Sequence, residues 1–448
     1  MRLTPKQFSP AQLLASSFAG LIAAGTVLLW LPIAGARGQL SLLDALVTST
    51  SAVCVTGLNV VDTPNDLSIV GQLVVMVLIQ AGGLGYMAVS TVVAVAIGKH
   101  LTVHERLTLQ EALNVQTMDG LIRFVLNVFK LTLIFECLGA VVIGLRWMGE
   151  MGAGRALYYG LFHSVSAFNN AGFALFSDNL MRFRDDPIVN GTITTLIVCG
   201  GLGFVVLTEL GRLRQTRRLS VHSRVVLTMT AFLIVGGTLA IFALEYRNPR
   251  TLGGLAVPQA LLAAFFQAVT PRTAGFNTLD IGSMTSATLF LLMVLMFIGA
   301  SPGGTGGGIK TTTFGITVAA LWATVRGSHE AVIFKRRLAP ELVARAFFVS
   351  LIAFLAVNGV AVLLLIAEGR ALLPTLFETV SAAGTVGLST GEGGAPVSLT
   401  GHFGAAGKLL ISATMYMGRI GPLTLAVAVA RGGTPPRVRY PDGKILVG

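Results

Sequence analysis

The sequence predicts an all-α integral membrane protein of eight spanning helices, built as four helix–re-entrant loop–helix repeats with pseudo-fourfold symmetry. Three observations lead there. Hydrophobic residues make up 53% of the 448-residue chain and charged residues only 12%, whereas a soluble domain is about 25% charged. Apolar runs long enough to cross a bilayer alternate with runs that are too short. The order long, short, long occurs four times.

In chain order the long runs cover residues 11–33, 67–97, 121–145, 188–210, 225–244, an interrupted 287–323, 342–367 and 409–430. A spanning helix needs about 20 apolar residues, and runs of about 10–14 rarely cross. The short runs, 42–53, 157–168, 255–269 and 372–383, fall one inside each pair. If each dips into the bilayer and returns, the repeats are 11–98, 121–211, 223–325 and 342–431, and both termini share one side. The first run follows Arg2 and Lys6 and precedes Ala34-Gly35-Ala36, like a secretory signal. It is longer than the roughly 7–15-residue core of such signals, and the first repeat needs it, so a retained span is expected. The whole of 1–448 reads as a single membrane domain.

Charge sets the orientation. Of the 32 Lys and Arg residues, 19 lie in segments 1–11, 98–123, 211–224, 326–345 and 431–448, on the side of the termini, and 10 on the other. Basic loops stay cytoplasmic, so both termini are expected inside. This distribution also accounts for the net charge of +12 without nucleic acid. Cys54, Cys137 and Cys199 fit no metal motif, and the six His residues (100, 104, 163, 222, 329, 402) are scattered, which argues against a polytopic enzyme.

After each short run comes a shared octapeptide: SAVCVTGL (51–58), SAFNNAGF (166–173), VTPRTAGF (269–276) and SAAGTVGL (381–388). Gly57, Gly172, Gly275 and Gly387 align. Ser51, Ser166 and Ser381 precede their glycines by six residues, with Val269 in the third copy, and Leu58, Phe173, Phe276 and Leu388 follow directly. A dehydrated potassium ion needs oxygens in place of its water, and rings of backbone carbonyls supply them. Non-helical backbone at membrane depth is tolerated where it lines such a cavity, glycine permits the turns, and a preceding short helix presents its negative end to a cation.

Thr385-Val386-Gly387 resembles the start of the potassium-channel filter TVGYG, and the arrangement resembles the Trk/Ktr/HKT superfamily of potassium transporters over nearly the full chain. Eight spans without extra N-terminal helices are most similar to the Ktr-type membrane subunit. The resemblance implies potassium uptake through one central pore. The filter would be the carbonyls of Val55, Thr56 and Gly57, Asn170, Ala171 and Gly172, Thr273, Ala274 and Gly275, and Thr385, Val386 and Gly387, with potassium as substrate. Cys54, Asn169, Arg272 and Gly384 would lie one step deeper; Arg272 is expected to point away and pair with a carboxylate or carbonyls. Asp62, Asp178 and Asp280 are candidate outer-mouth charges. Because only one glycine recurs per copy, a sodium-selective or broader monovalent-cation pathway is the alternative.

Glycines also mark the second long helix of each repeat, at 82–85, 200–203, 299–308 and 418–421. The third, GASPGGTGGGIKTTT, should break its helix. It resembles a phosphate-binding loop, but Ile309 stands where that motif needs glycine and no strand precedes it. The family resemblance implies a gating loop of Gly303, Gly304, Thr305, Gly306, Gly307 and Gly308, with Lys310 and Thr311 at its inner end, and a barrier at Arg419 in the Gly418-Arg419-Ile420-Gly421-Pro422 context. A charge inside a span is a functional candidate by default. Lys130, Glu136 and Glu209 have no assigned role; Glu209 is expected to meet basic residues of the next loop. The resemblance further implies a homodimer on a cytosolic nucleotide-binding ring subunit (KtrA-like). No covalent cofactor is expected, sodium is a candidate modulator, and the basic segments 212–218 and 335–337 could hold anionic membrane lipid or protein.

Overall fold

A computed structural model describes residues 10–85, 121–328, 330–421 and 424. Helix α1 (Pro10–Trp30) leads to the short α2 (Leu42–Val53), the single-turn α3 (Thr63–Asp66) and α4 (Ile69–Leu84). Next come α5 (Leu121–Met151), the short α6 (Ala153–Phe168), α7 (Pro187–Leu202) and α8 (Phe204–Thr216). Then follow α9 (Val221–Glu245), α10 (Val257–Val269), α11 (Ser286–Phe297) and α12 (Thr311–Val325). A hairpin of β1 (Val332–Ile333) and β2 (Arg336–Arg337) joins these to α13 (Pro340–Glu368), α14 (Leu372–Gly384) and α15 (Ala405–Ile420).

Local chemistry starts these helices where the sequence changes character. Ser41 accepts the Asp44 N–H at 3.0 Å ahead of α2. Asp186 takes the Ile188 and Val189 N–H groups at 2.9 and 3.1 Å ahead of Pro187. Thr285 opens α11 in the same way. Each satisfies donors that a helix leaves free in its first turn.

The chain is a multi-pass membrane protein. Among the described residues, Ala11–Trp30, Ile122–Met151, Val221–Glu245 and Pro340–Glu368 are long and apolar enough to cross, and α7 with α8 makes a further candidate bent by 103°. Large apolar side chains face outward along them, such as Phe232 at 65% and Ile366 at 76% exposure, as lipid contact requires. Phe162, Phe168, Phe173, Phe266, Phe276 and Phe377 are buried inside.

The second helices differ from the expected continuous runs. The 188–210 run breaks at Gly203, whose φ of +94° ends α7. The 287–323 run is two helices separated by residues 298–310. Helices α4 and α15 end at Gly85 and Gly421, with φ of +80° and +93°. The remainder of runs 67–97 and 409–430, apart from residue 424, lies outside the described residues, as do Pro422, most of the basic segments at 1–11 and 98–123 and all of 431–448, and three of the six His residues (100, 104 and 329).

Candidate functional site

Each short helix delivers a turn with one backbone signature. Val55, Asn170, Thr273 and Thr385 have φ of +56°, +60°, +74° and +51°, and two residues later Gly57, Gly172, Gly275 and Gly387 have +90°, +71°, +76° and +91°. The residue between does not. Alternating the hand of successive residues turns their peptide groups the same way, so N–H groups line one side and carbonyls the other. A left-handed conformation costs a non-glycine residue about 1–2 kcal/mol, and three of these four are β-branched. The surroundings must enforce it.

Hydrogen bonds do so. The N–H groups turn back onto the short helices: Thr56 N to Ser51 O at 2.8 Å, Ala171 N to Ser166 O at 2.7 Å, Ala274 N to Thr270 O at 2.9 Å and Val386 N to Ser381 O at 2.8 Å. The hydroxyls of Ser51 and Ser381 accept from Gly57 N and Gly387 N at 3.0 Å each. In the third copy Thr270 Oγ1 instead donates to Phe276 O at 2.5 Å. Ser166 Oγ has no such partner.

The four glycines close a ring. A Cβ on Gly57 would collide with the Ala171 carbonyl oxygen and lie 3.1 Å from Gly172 Cα. One on Gly172 would lie 2.8 Å from Ala274 O and 2.9 Å from Gly275 Cα. One on Gly275 would strike Val386 O, and one on Gly387 would strike Thr56 O and approach Gly57 Cα to 3.0 Å. The twelve residues singled out in the sequence therefore converge in one place. The Asn170 amide and Thr273 Oγ1, 3.1 Å apart, bridge two of the turns.

Residues 298–310 lie against this ring. Thr305 Oγ1 donates to Phe168 O at 3.1 Å, and Gly307 N donates to Thr385 Oγ1 at 3.1 Å. A side chain at Gly306 would collide with Thr273 Oγ1, and one at Gly307 with Thr385 Oγ1. Lys310 Nζ donates to Gly306 O at 2.8 Å. Arg419, on α15, donates to Thr305 O, to Gly82 O and, at 3.2 Å, to Gly83 O. A half-buried guanidinium thus joins the loop to the carbonyl end of α4, where the helix dipole is negative.

Other sequence candidates stand apart. Asp62 bonds Asn65 and Ser177 at 2.6 and 2.7 Å, Asp178 pairs with Arg182 at 2.6 Å, and Asp280 caps a turn through Gly282 N and Ser283 Oγ. Arg272 is 4% exposed, and its guanidinium has neither the carboxylate nor the carbonyl partner expected of it; its Nε is buried without an acceptor among the described residues. Its counterpart Asn169 takes a different environment, so equal register did not mean equal surroundings. Glu209 accepts from Ser220 N and Oγ at 3.1 and 3.0 Å, and His222 lies near enough to interact with its charge. Lys130 is exposed on α5. No group of three or more His, Cys, Asp or Glu could hold a metal among the described residues.

Sequence reasoning named Glu136 and Asn169 but did not foresee their contact, nor the setting of His163. Glu136 and Gln80 reach Asn169 behind the second turn. His163, buried on α6, lies 2.7 Å from Tyr159 O through Nδ1 and accepts Leu175 N at 3.2 Å through Nε2. The signal was present only as polar residues within apolar runs.

Comparison with known proteins adds an independent line. Residues 9–432 match the family described as "TrkH: Cation transport protein". The chain is 43% identical to the Ktr system potassium uptake protein B of Bacillus subtilis, covering 99% of this chain and 97% of that one. It is 36% identical to the potassium/sodium uptake protein NtpJ of Enterococcus hirae, covering 99% and 98%. The crystal structure of the potassium transporter TrkH from Vibrio parahaemolyticus superposes with a TM-score of 0.76 at 19% identity, covering 96% of this chain and 87% of that one. At that identity the likeness speaks for the fold alone.

Proposed function

Because this chain belongs to the TrkH family of cation transport proteins, we propose that it takes up potassium through a channel-like pore whose filter is the ring of four turns. The architecture proposed is four repeats, 11–98, 121–211, 223–325 and 342–431, with eight spans around that pore. It sits in the bacterial inner membrane with both termini cytoplasmic. The observation that carries the reading is the paired left-handed residues recurring in four turns whose glycines pack into a closed ring. Carbonyls of Val55–Gly57, Asn170–Gly172, Thr273–Gly275 and Thr385–Gly387 would replace the water of a bare ion. The short helices add the negative ends of their dipoles.

Residues 303–308, with Lys310 and Arg419, would form the gate. Arg419 holds the loop to α4, and Thr305 and Gly307 tie it to the filter turns. Opening would break those bonds together. A homodimer, seated on a cytosolic nucleotide-binding subunit and bathed in lipid, would place control outside this chain.

The test is growth of a potassium-uptake-deficient bacterium at micromolar potassium, with and without sodium. Rescue is expected; failure by well-expressed protein would refute uptake. The name of the Enterococcus relative, a potassium/sodium uptake protein, supports a second reading, sodium uptake. Rescue that sodium abolishes at equal concentration would favour it.

A further inference from the structure

We propose that Glu136 is a positioning residue for the second filter turn, fixing Asn169 and thereby the ion preference of the ring. This rests on the reading of residues 170–172 as an ion-binding segment.

Glu136 lies inside α5 and is 3% exposed. Its Oε1 accepts from Asn169 Nδ2 at 2.9 Å and its Oε2 from Gln80 Nε2 at 3.2 Å. Asn169 Nδ2 also lies 2.8 Å from Gln80 Oε1. Side chains from α4, α5 and the C-cap of α6 therefore close a triangle. No ion pair involves Glu136 among the described residues. A carboxyl group inside a membrane span is expensive, so one kept without a cation needs another reason.

Packing does not supply that reason. Ser164 Oγ on α6 donates to the backbone oxygen of Glu136 at 2.7 Å, and Ser49 Oγ on α2 donates to the backbone oxygen of Ile22 at 2.8 Å. The same helix–helix seam is built with isoleucine at the matching place in α1. What the carboxyl group adds is two acceptors, one for the Asn169 amide and one for the Gln80 amide, whose oxygen in turn accepts from Asn169. Asn169 immediately precedes Asn170, whose φ of +60° begins the turn, and a Cβ at Gly83 would collide with Asn169 Oδ1. The amide is thus held between Glu136 and the last turn of α4. The Gly82 and Gly83 carbonyls of that turn receive Arg419.

The full chain, reconstituted in liposomes, tests this by potassium flux in competition with sodium. Glu136→Ala should lower potassium-over-sodium preference about tenfold, the consequence of freeing a buried hydrogen-bonded group. Glu136→Gln, which keeps one bond to Asn169, should lower it about threefold. Combining Glu136→Gln with Asn169→Asp exchanges donor and acceptor and should restore preference to within about twofold of the parent. Variants that melt earlier yet keep the parental preference would show a merely structural role and overturn the proposal. If Glu136→Ala does not assemble, the other two decide: an exchanged pair no better than Glu136→Gln overturns it. A parent that passes no potassium sinks the conduction reading, and this proposal with it.

Discussion

At Gly172 the backbone leaves no room for a side chain. The φ of +71° disfavours any other residue, and a methyl group would lie 2.8 Å from Ala274 O and 2.9 Å from Gly275 Cα. Gly172→Ala should therefore abolish potassium uptake, at a cost of about 1–2 kcal/mol in backbone strain alone, while uptake assays normalised to membrane abundance separate lost conduction from lost protein. Thr385 has a subtler role. Its hydroxyl accepts the Gly307 N–H, and Thr385→Val keeps the shape while orphaning that donor. A buried orphan costs about 1–3 kcal/mol, so the loop should loosen and flux rise several-fold in liposomes. The ring glycines were legible in the sequence because the same octapeptide appears four times, each after an apolar run too short to cross. Glu136 was not, since it stands 33 residues from Asn169 and 56 from Gln80. Nothing local distinguishes a carboxyl group inside an apolar helix that will meet an amide from one that will not. Arg272 shows the converse: its place behind the third turn was readable, its lack of a partner among the described residues was not.

Among elements, the short helices were read closely. Runs 42–53 and 372–383 correspond to α2 (Leu42–Val53) and α14 (Leu372–Gly384), and 157–168 to an α6 that starts four residues earlier. Hydrophobicity alone marks α6 and α14, and at α2 the Ser41 cap agrees with it. The second helices were harder, because hydropathy sees apolar residues on both sides of Gly203 and cannot see a 103° turn between them. The 298–310 segment is where both signals met: its glycines predicted a break, and the break is there. Arg419→Ala removes the guanidinium shared by Thr305 O and the α4 carbonyls. It should raise potassium flux, as should shortening residues 303–308. Liposome flux like the parent's in both variants would dismiss the gate. Gly203→Ala, whose methyl group would meet Pro302 O at 2.5 Å, should also disturb the loop and lower thermal stability in detergent by several degrees.

For the molecule as a whole, composition alone placed the chain in a bilayer, and the outward apolar faces of α9 and α13 bear that out. Nucleotide control, if it comes from a cytosolic partner, gives a clear expectation. Nucleotide should leave flux through the purified chain unchanged and alter it only after a nucleotide-binding ring subunit is added; modulation without that subunit would disprove the arrangement. The ring itself carries a wider implication. The residues leading into it are valine, asparagine, threonine and threonine, all encoded once in a single polypeptide. A symmetric tetramer must change all of its quadrants at every substitution. This chain can change one at a time, so, with the ring as the proposed filter, its preference among ions would be open to evolution in quarter steps, each small enough for the other three turns to tolerate.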